Sequence, residues 1–251
     1  MTTRNSWLVQ SYFAHRGLHT NEMPENSLAA FEHAAACGYA IELDIRLTDD
    51  NVPVVFHDDT LKRMTHTDGY VTNIKSTELT QYKLLGTDEA IPTLEQTLEL
   101  VNGRVPILIE LKNHGKTGLM EKKVADMLAS YRGQCAVQSF NPYSLEYFKK
   151  KAPGILRGQL SMMFTKEEQR SLLKRYLLSR LKLNHISRPD FISYRAEDLP
   201  NAFVAKTGLP VIAWTVRSSA ELERVAPYCD NIIFEKFVPE NIEDEIRTSG
   251  L

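Results

Sequence analysis

The sequence predicts an α/β protein whose fold is a (β/α)8 TIM barrel, with a small insertion after a β-hairpin. Short apolar segments rich in β-branched residues alternate with longer amphipathic segments over most of the chain. Such alternation is typical of a parallel sheet with helical crossovers, and about eight units favour closure into a barrel. The 251 residues suit a single domain over 1–251. No Gly-x-Gly-x-x-Gly segment follows the first strand, which argues against an open dinucleotide-binding sheet.

After a first strand, a helix is expected at 28–36. Asn26 or Ser27 has the side chain to cap the amino end of this helix, and Gly38 suits its carboxyl end. A second strand is expected at 40–46, where apolar and ionisable residues alternate.

The second strand is followed closely by another apolar run at 52–57. A parallel crossover needs a dozen or more residues, so this run must return antiparallel as the second arm of a hairpin. The hairpin carries His57 back towards Glu42 and Asp44 on the strand at 40–46.

Residues 58–92 have no strong period, and we expect them to form turns and short helices, a small lobe over one edge of the site. Regular alternation resumes after this lobe. The predicted helices lie at 93–101, 120–131, 142–151, 166–183, 197–206, 220–226 and from 239 onward. The predicted strands lie at 105–111, 135–139, 155–161, 191–194, 209–216 and 231–234.

The composition excludes several classes of protein. The formal net charge is −2, which argues against a polybasic protein that binds nucleic acid. No apolar stretch approaches the ~18 residues that a membrane span needs, so we expect no stable membrane insertion. The start of the chain lacks the apolar segment of a signal peptide, which predicts a cytoplasmic protein. Cys37, Cys135 and Cys229 lack metal-like spacing and are expected to be buried free thiols.

Ionisable residues cluster at the ends of the predicted strands. Side chains alternate along a strand, so Glu42 and Asp44 lie on the same face of their strand. Glu110 and Lys112 likewise lie on one face of theirs. The carboxyl ends of barrel strands form the active site. We therefore expect these four residues to converge with His15.

Three carboxylates at one place repel each other, by about 4 kcal/mol for two unit charges ~4 Å apart at an effective dielectric near 20. A bound divalent cation removes this repulsion, and carboxylate ligands favour Mg²⁺ or Ca²⁺ over zinc. Arg16 and Lys112 then make the site net positive, which suits a phosphate. The two histidines, His15 and His57, can act as general acid and general base. This combination predicts metal-assisted phosphodiester cleavage.

Simpler interpretations exist for each of these residues. A strand carboxylate is usually solvated or salt-bridged, and Glu110 with Lys112 can be a structural ion pair. Trp214 can belong to the barrel core or can wall a substrate pocket, and the residues alone leave this open. The remaining histidines are expected at the surface: His19, His33, His66, His114 and His185.

Residues 166–188 carry leucines at helical spacing among many basic side chains. A basic amphipathic helix can contact a membrane or a partner. We favour the alternative that it is an outer helix of the barrel that buries its leucines.

The motifs resemble those of the glycerophosphodiester phosphodiesterase family, in the family's order and over nearly the whole chain. The matching segments are His15-Arg16-Gly17, Pro24-Glu25-Asn26-Ser27, Glu42-Leu43-Asp44, His57-Asp58, Ile91-Pro92-Thr93-Leu94-Glu95, Glu110-Leu111-Lys112, Gln138-Ser139-Phe140 and Trp214-Thr215-Val216. The resemblance implies a barrel of the phospholipase C-like phosphodiesterase type that hydrolyses glycerophosphodiesters to sn-glycerol 3-phosphate and an alcohol.

The resemblance also implies the roles of individual residues. Glu42, Asp44 and Glu110 would be the metal ligands, and His15 and His57 the acid and base. Arg16 and Lys112 would hold the phosphate, and Trp214 would pack against the glycerol. A glycerol hydroxyl would attack first to give a cyclic phosphate that water then opens, because an internal attack is favoured by proximity.

Other functions stay open at this point. A lysophospholipase D-like enzyme would act on lysolipids through the same site, and a non-catalytic barrel would only bind phosphodiesters. The chain also departs from the family pattern, with Arg217 where Asn is frequent and Glu235-Lys236 where Thr-Asp is usual. These changes bear on the preferred alcohol, which the sequence leaves undefined together with the oligomeric state.

Overall fold

The computed structural model describes residues 7–113, 115–166 and 171–239. By internal contacts the chain divides into two compact units. The first unit is Phe13–Cys135, and the second contains the described residues after 135 together with residues 7–12. Among the described residues, none of the helices is long and apolar enough to cross a membrane.

The first unit contains four strands, of which β2 is the centre. They are β1 (Phe13–His15), β2 (Ala40–Leu47), β3 (Pro53–Val55) and β4 (Ile107–Leu111). Strand β2 pairs in parallel with β1 and β4 and antiparallel with β3. Ile45 lies opposite Val55 in the β2–β3 ladder, which confirms the predicted hairpin.

The helices of the first unit are α1 (Leu28–Ala36), α2 (Lys62–Thr65), α3 (Leu94–Val101) and α4 (Leu119–Ser130). Of the two candidate caps of α1, Ser27 fills the role, since its Oγ accepts a hydrogen bond from the backbone N–H of Ala30 at 3.1 Å. Helix α3 begins with a capping box, in which Thr93 Oγ1 accepts from the N–H of Gln96 and the Gln96 side chain accepts from the N–H of Thr93.

The predicted insertion is a small lobe with an apolar core of its own. It contains α2 and two 3₁₀ turns, Val71–Asn73 and Ser76–Gln81. Its buried side chains pack against two residues of the hairpin's return arm, Val54 and Phe56. The lobe contributes Leu61, Met64, Val71, Ile74, Leu79, Leu84 and Ile91 to this cluster. Burial of these side chains explains how a segment without helical or strand period is ordered.

The second unit contains five parallel strands, each paired with the next along the chain. They are β5 (Cys135–Ser139), β6 (Leu156–Ser161), β7 (Phe191–Arg195), β8 (Val211–Val216) and β9 (Asn231–Phe234). The helices are α5 (Pro142–Lys151), α6 (Leu172–Ser179), α7 (Asn184–Ser187), α8 (Ala202–Ala205) and α9 (Ser219–Val225). With β1, β2 and β4, the described chain has eight parallel strands alternating with helices. The fold is therefore the predicted TIM barrel, with β3 and the lobe as the insertion.

Of the helix predicted at 166–183, residues 167–170 lie outside the described residues. In the remainder, helix α6 spans Leu172–Ser179, and the expected burial of its first leucines is wrong, since Leu172 and Leu173 are 75% and 67% exposed. Leu178 and Leu181 are buried instead. Among the described residues of this segment, the carboxyl end of α6 contacts the strands, through Leu178 and Ser179.

The helix predicted at 197–206 is interrupted. A 3₁₀ turn at Ala196–Asp198 precedes the short helix α8, and Pro200 lies between them. Proline disfavours helical geometry in the residue before it, which accounts for the break. The helix predicted from 239 onward lies outside the described residues, as does His114.

The three cysteines are free, as predicted, but their expected burial is wrong for Cys37. This residue is the exposed carboxyl-terminal cap of α1. Cys135 and Cys229 are partly buried, and burial raises the pKa of Cys135 to about 11 and that of Cys229 to about 12.

Candidate active site

The loop between β1 and α1 turns tightly and fixes Arg16. Arg16 and Gly17 both have left-handed backbone angles, with φ of 58° and 83°. A Cβ on Gly17 would lie 2.9 Å from the backbone carbon of Ala30, so only glycine fits there. The turn directs the backbone N–H of Arg16 to Glu42, whose Oε2 accepts a hydrogen bond at 3.2 Å. His15, the last residue of β1, lies opposite Glu42 in the parallel ladder.

The three acidic residues of β2 and β4 gather at one place. Asp44 lies opposite Glu110 in the β2–β4 ladder. Glu42 lies two residues before Asp44 on β2, so both side chains are on the same face of the strand. One oxygen from each carboxylate lies within 4.8 Å of the others. All three side chains are buried, which is unusual for acids without compensating charge.

Two cations and an amide contact this cluster. Lys112 Nζ lies 3.0 Å from Asp44 Oδ1 and 2.7 Å from Glu110 Oε1. Arg16 Nε lies 3.2 Å from Asp44 Oδ2. The Nδ2 of Asn26 donates to the same oxygen at 2.9 Å. Asp44 therefore contacts both cations as well as the amide.

The pKa values follow this unequal distribution of partners. Burial and the negative charges of Asp44 and Glu110 raise the pKa of Glu42 well above its usual value. Burial also raises the pKa of Glu110, although Lys112 opposes the rise. Burial would do the same to Asp44, but Lys112 and Arg16 hold its pKa far below the usual range.

His57 follows the return arm of the hairpin, and both its backbone and its ring are held. Its carbonyl oxygen accepts hydrogen bonds from Arg46 Nε at 2.8 Å and Nη2 at 2.6 Å. Its ring Nδ1 lies 2.6 Å from Asp58 Oδ1. Burial, together with the positive charges of Lys112 and Arg16, lowers the pKa of His57 to about 4, against the opposing effect of Asp44. The ring is therefore neutral at physiological pH.

Further polar residues connect His57 to Arg16, and sequence reasoning gave them no role. Arg63 of α2 donates to Asp58 Oδ2 at 2.6 Å and to Glu25 Oε1 at 2.7 Å. Glu25 in turn accepts from Arg16 Nη1 at 2.7 Å. Glu25 and Asp58 lie within the segments Pro24-Glu25-Asn26-Ser27 and His57-Asp58, so the sequence marks both residues. Arg63 lies in the lobe without sequence period, so no signal marked it.

The acidic cluster has the donor set of a divalent cation site. Three buried carboxylates at this separation provide hard oxygen ligands and excess negative charge, which suits Mg²⁺ or Ca²⁺. Glu42, Asp44 and Glu110 could hold such an ion, with Asn26 orienting Asp44 as an outer partner.

Trp214 lies in the second unit, on β8, apart in sequence from the other candidates. Its ring is half-buried and makes an edge contact with Phe140, with centroids 5.8 Å apart. Phe140 makes a similar contact with Phe164. The indole Nε1 is buried without a hydrogen-bond partner among the described residues. Trp214 is thus a partly exposed member of an aromatic cluster rather than a sealed core residue.

The two residues that depart from the family pattern contact each other. Arg217 follows β8 and its Nε donates to Glu235 Oε1 at 2.6 Å, just after β9. Its Nη1 lies 3.4 Å from Glu197 Oε1, after β7. Three neighbouring strand ends of the second unit are thus linked by one guanidinium.

Comparison with known proteins indicates the same family as the sequence motifs. Residues 15–234 match the model of the glycerophosphoryl diester phosphodiesterase family. A glycerophosphodiester phosphodiesterase of Caldanaerobacter subterraneus subsp. tengcongensis is 31% identical over 254 aligned positions, which cover 94% of this chain and 98% of that protein.

Solved structures share the fold at lower identity. A glycerophosphodiester phosphodiesterase of Parabacteroides distasonis has a TM-score of 0.75 at 22% identity, covering 96% of this chain and 99% of that one. An Oleispira antarctica phosphodiesterase, solved with the product sn-glycerol-3-phosphate, has a TM-score of 0.73 at 23% identity, covering 89% of this chain and 92% of that one. The chain belongs to the glycerophosphoryl diester phosphodiesterase family and is an enzyme of that kind.

Proposed function

We propose that the chain hydrolyses glycerophosphodiesters to sn-glycerol 3-phosphate and an alcohol, with one Mg²⁺ or Ca²⁺ held by Glu42, Asp44 and Glu110. The observation that carries the proposal is the cluster of these three buried carboxylates. When bound, the cation would offset two of the three negative charges of the cluster and polarise a phosphoryl oxygen. The substrates are a small-molecule glycerophosphodiester and water.

Arg16 and Lys112 hold the phosphate in this proposal. Both side chains are largely buried and contact Asp44, so a phosphate bound to them lies beside the carboxylates. Burial would lower the pKa of Lys112, but Asp44 and Glu110 raise it above its usual value. Lys112 is therefore charged at neutral pH. Trp214 packs against the glycerol, a role carried over from the family pattern.

His57 is the base of the first step. Its neutral ring can take the proton of the glycerol hydroxyl next to the phosphate, while Asp58 holds Nδ1 in position. The hydroxyl oxygen bonds to phosphorus, and the bond from phosphorus to the alcohol oxygen breaks. His15 gives its proton to the leaving alcohol. In the second step the roles reverse. His15 takes a proton from the water that bonds to phosphorus, the ring bond from phosphorus to the glycerol oxygen formed in the first step breaks, and His57 returns its proton to that oxygen.

The test is release of sn-glycerol 3-phosphate from glycerophosphocholine by the full chain with either metal. We expect turnover that EDTA abolishes and that added Mg²⁺ or Ca²⁺ restores. The variants His15→Ala and His57→Ala should each lose about 10²- to 10⁴-fold in rate. The exposed His185, changed to Ala, is the matched control and should retain activity.

Three results would contradict the proposal. Calorimetric binding of the diester without turnover would favour a non-catalytic barrel. Turnover of lysophosphatidylcholine with none of glycerophosphocholine would favour a lysophospholipase D-like activity. Release of choline phosphate instead of choline would place the cleavage on the wrong side of the phosphorus.

A further inference from the structure

Helix α6 exposes apolar side chains to solvent. Leu172, Leu173 and Tyr176 are 75%, 67% and 48% exposed. These three belong to one turn and its neighbour, so they form a continuous apolar patch rather than scattered residues. Exposed apolar side chains that are contiguous, rather than scattered singly, are a feature of interaction sites.

The carboxyl end of α6 is firmly attached to the strands of the second unit. Ser161, the last residue of β6, donates its hydroxyl to the carbonyl of Leu178 at 2.9 Å. Tyr194 of β7 donates its hydroxyl to the carbonyl of Ser179 at 3.0 Å. The apolar side chains of Leu178 and Leu181 are buried. The exposed leucines are thus at the amino end of a helix whose carboxyl end is fixed.

Basic residues lie within this patch and after it along the chain. Residues 171–189 contain five lysines and arginines and no aspartate or glutamate, although the whole chain has a net charge of −2. The five are Lys174, Arg175, Arg180, Lys182 and Arg188. Arg180 stacks over the ring of Tyr176, 4.1 Å from its centroid. Within the described part of the chain, no carboxylate forms an ion pair with any of the five.

We propose that α6 and the turn after it are a peripheral docking surface for an anionic lipid bilayer. Exposed leucines beside clustered cations are the pattern of a helix that lies in the headgroup region of a membrane. Leu172 and Leu173 enter the boundary between headgroups and acyl chains, while Lys174 and Lys182 contact anionic headgroups. Ser161 and Tyr194 tie α6 to the carboxyl ends of β6 and β7, the strand ends at which barrels form active sites.

Charge complementarity favours a bilayer over a second copy of this chain. An isologous contact would bring five cations of one copy against the same five of the other, which is repulsive. An anionic bilayer instead offers charge of the opposite sign together with an apolar interior. The proposal concerns a surface outside the carboxylate cluster, so it stands or falls independently of the phosphodiesterase reaction.

The first test is co-sedimentation of the full chain with vesicles. We expect binding to vesicles of phosphatidylglycerol and phosphatidylcholine in equal parts, little binding to phosphatidylcholine alone, and release at high salt. The variant Leu172→Ser/Leu173→Ser should bind about tenfold more weakly or worse. The charge reversal Lys174→Glu/Lys182→Glu should also lose more than about tenfold, since each cation contributes about fivefold.

Matched variants at other exposed positions of the chain distinguish binding through this surface from nonspecific adsorption to vesicles. Leu85 and Leu119 are also exposed, at 44% and 48%, so Leu85→Ser/Leu119→Ser removes the same groups from other places. Lys123→Glu/Lys206→Glu makes the same charge change at two other exposed lysines. Both control variants should bind vesicles as the unchanged chain does. Equal loss of binding in the controls would overturn the proposal.

A fluorescence measurement locates the contact without disturbing the leucines. Tyr176→Trp should show quenching by brominated lipids in anionic vesicles, while Tyr143→Trp, at a 52% exposed position on α5, should not. Equal quenching at both positions would overturn the proposal. Failure of the unchanged chain to bind anionic vesicles would also overturn it. So would a result in which Leu172→Ser/Leu173→Ser converts a dimer to a monomer without changing vesicle binding.

Discussion

Asn26 and Asp44 are joined side chain to side chain across 18 residues of sequence. The Nδ2 of Asn26 donates to Asp44 Oδ2 at 2.9 Å, and Asn26 Oδ1 accepts from the backbone N–H of Asp44 at 3.4 Å. Asn26 adopts a left-handed backbone with φ of 57° and is buried. The amide thus fixes which oxygen of the central carboxylate faces Lys112.

Replacing Asn26 by glycine tests whether this orientation matters for metal binding. Glycine tolerates the left-handed backbone, so Asn26→Gly removes the amide without straining the loop. We expect the apparent affinity for Mg²⁺ or Ca²⁺ to fall about 10- to 100-fold, as is typical when an outer partner of a metal ligand is lost. Metal titration of activity and equilibrium dialysis measure the change.

A second left-handed asparagine provides the control for this variant. Asn51, with φ of 62°, lies in the hairpin turn. Asn51→Gly makes the same chemical change away from the carboxylates and should leave metal affinity unchanged. Equal metal affinity in Asn26→Gly and the unchanged chain, at equal thermal stability, would remove Asn26 from the metal site.

The acid limb of the pH–rate profile tests the assignment of His57 as base. Burial, with help from Lys112 and Arg16, lowers the pKa of His57 to about 4, so the ring stays neutral as pH falls and is protonated only near that value. At a metal concentration that saturates the site, so that Glu42 stays deprotonated, we expect kcat/KM to fall on the acid side near pH 4, well below the ~6.5 of an unperturbed histidine. A limb near 6.5 would contradict this assignment.

Asp58 supplies an independent check on the same limb. Its hydrogen bond to His57 Nδ1 raises the pKa of the ring, so Asp58→Asn should move the acid limb to still lower pH. The rate at neutral pH should fall as well, because the ring loses the partner that orients it. The profiles are measured only at pH values where circular dichroism shows that the chain is folded. This restriction distinguishes the effect of Asp58→Asn from acid unfolding. A limb that does not move would mean that Asp58 has no influence on His57.

Arg63 contacts the carboxylates of Asp58 and Glu25. Its contribution to the free energy of unfolding should depend on pH. Arg63 and His57 hold the pKa of Asp58 at about 2, against burial, and Arg63 and Arg16 hold that of Glu25 below its usual value. A carboxyl whose pKa is lowered by folding contributes stability above its unfolded pKa of ~4 and loses it as pH falls towards the folded value. Arg63→Met should cost about 1 kcal/mol at pH 7, after allowance for solvent screening, and less at pH 3.

Urea unfolding at the two pH values measures this difference. Lys122→Met is the control, because it breaks an exposed ion pair with Asp126 that contributes a few tenths of a kcal/mol. If Arg63→Met costs no more than Lys122→Met at pH 7, the two carboxylates gain nothing from Arg63.

Local rules account for the part of the site that the sequence predicted. Alternation along β2 puts Glu42 and Asp44 on one face, and parallel pairing brings Glu110 beside Asp44. The shortness of the connection before Val52 requires a hairpin, which carries His57 to its position. Each step uses only neighbours along the chain or along one ladder.

The features that the sequence did not reveal depend on contacts between distant segments. Arg63 meets Glu25 from 38 residues away, in a lobe ordered by apolar burial rather than by period. Exposure of Leu172 depends on whether the amino end or the carboxyl end of α6 contacts the strands. The helical spacing of the leucines is the same in both cases, so it does not distinguish them. Hydrophobic spacing therefore predicts that a face exists without specifying what covers it.

Arg217 and Glu235 should determine which alcohol the enzyme prefers. Arg217 neutralises Glu235 and lies near Glu197, at the ends of β7, β8 and β9, and barrels bind their substrates at such strand ends. Arg217→Asn leaves both carboxylates without their cation, so kcat/KM for glycerophosphocholine relative to glycerophosphoserine should rise about fivefold, because the former alcohol is a cation and the latter carries a carboxylate. Competition assays with both diesters measure the ratio. Arg217→Lys keeps the charge and should keep the ratio, whereas an unchanged ratio in Arg217→Asn would show that this ion pair serves the fold and not the substrate.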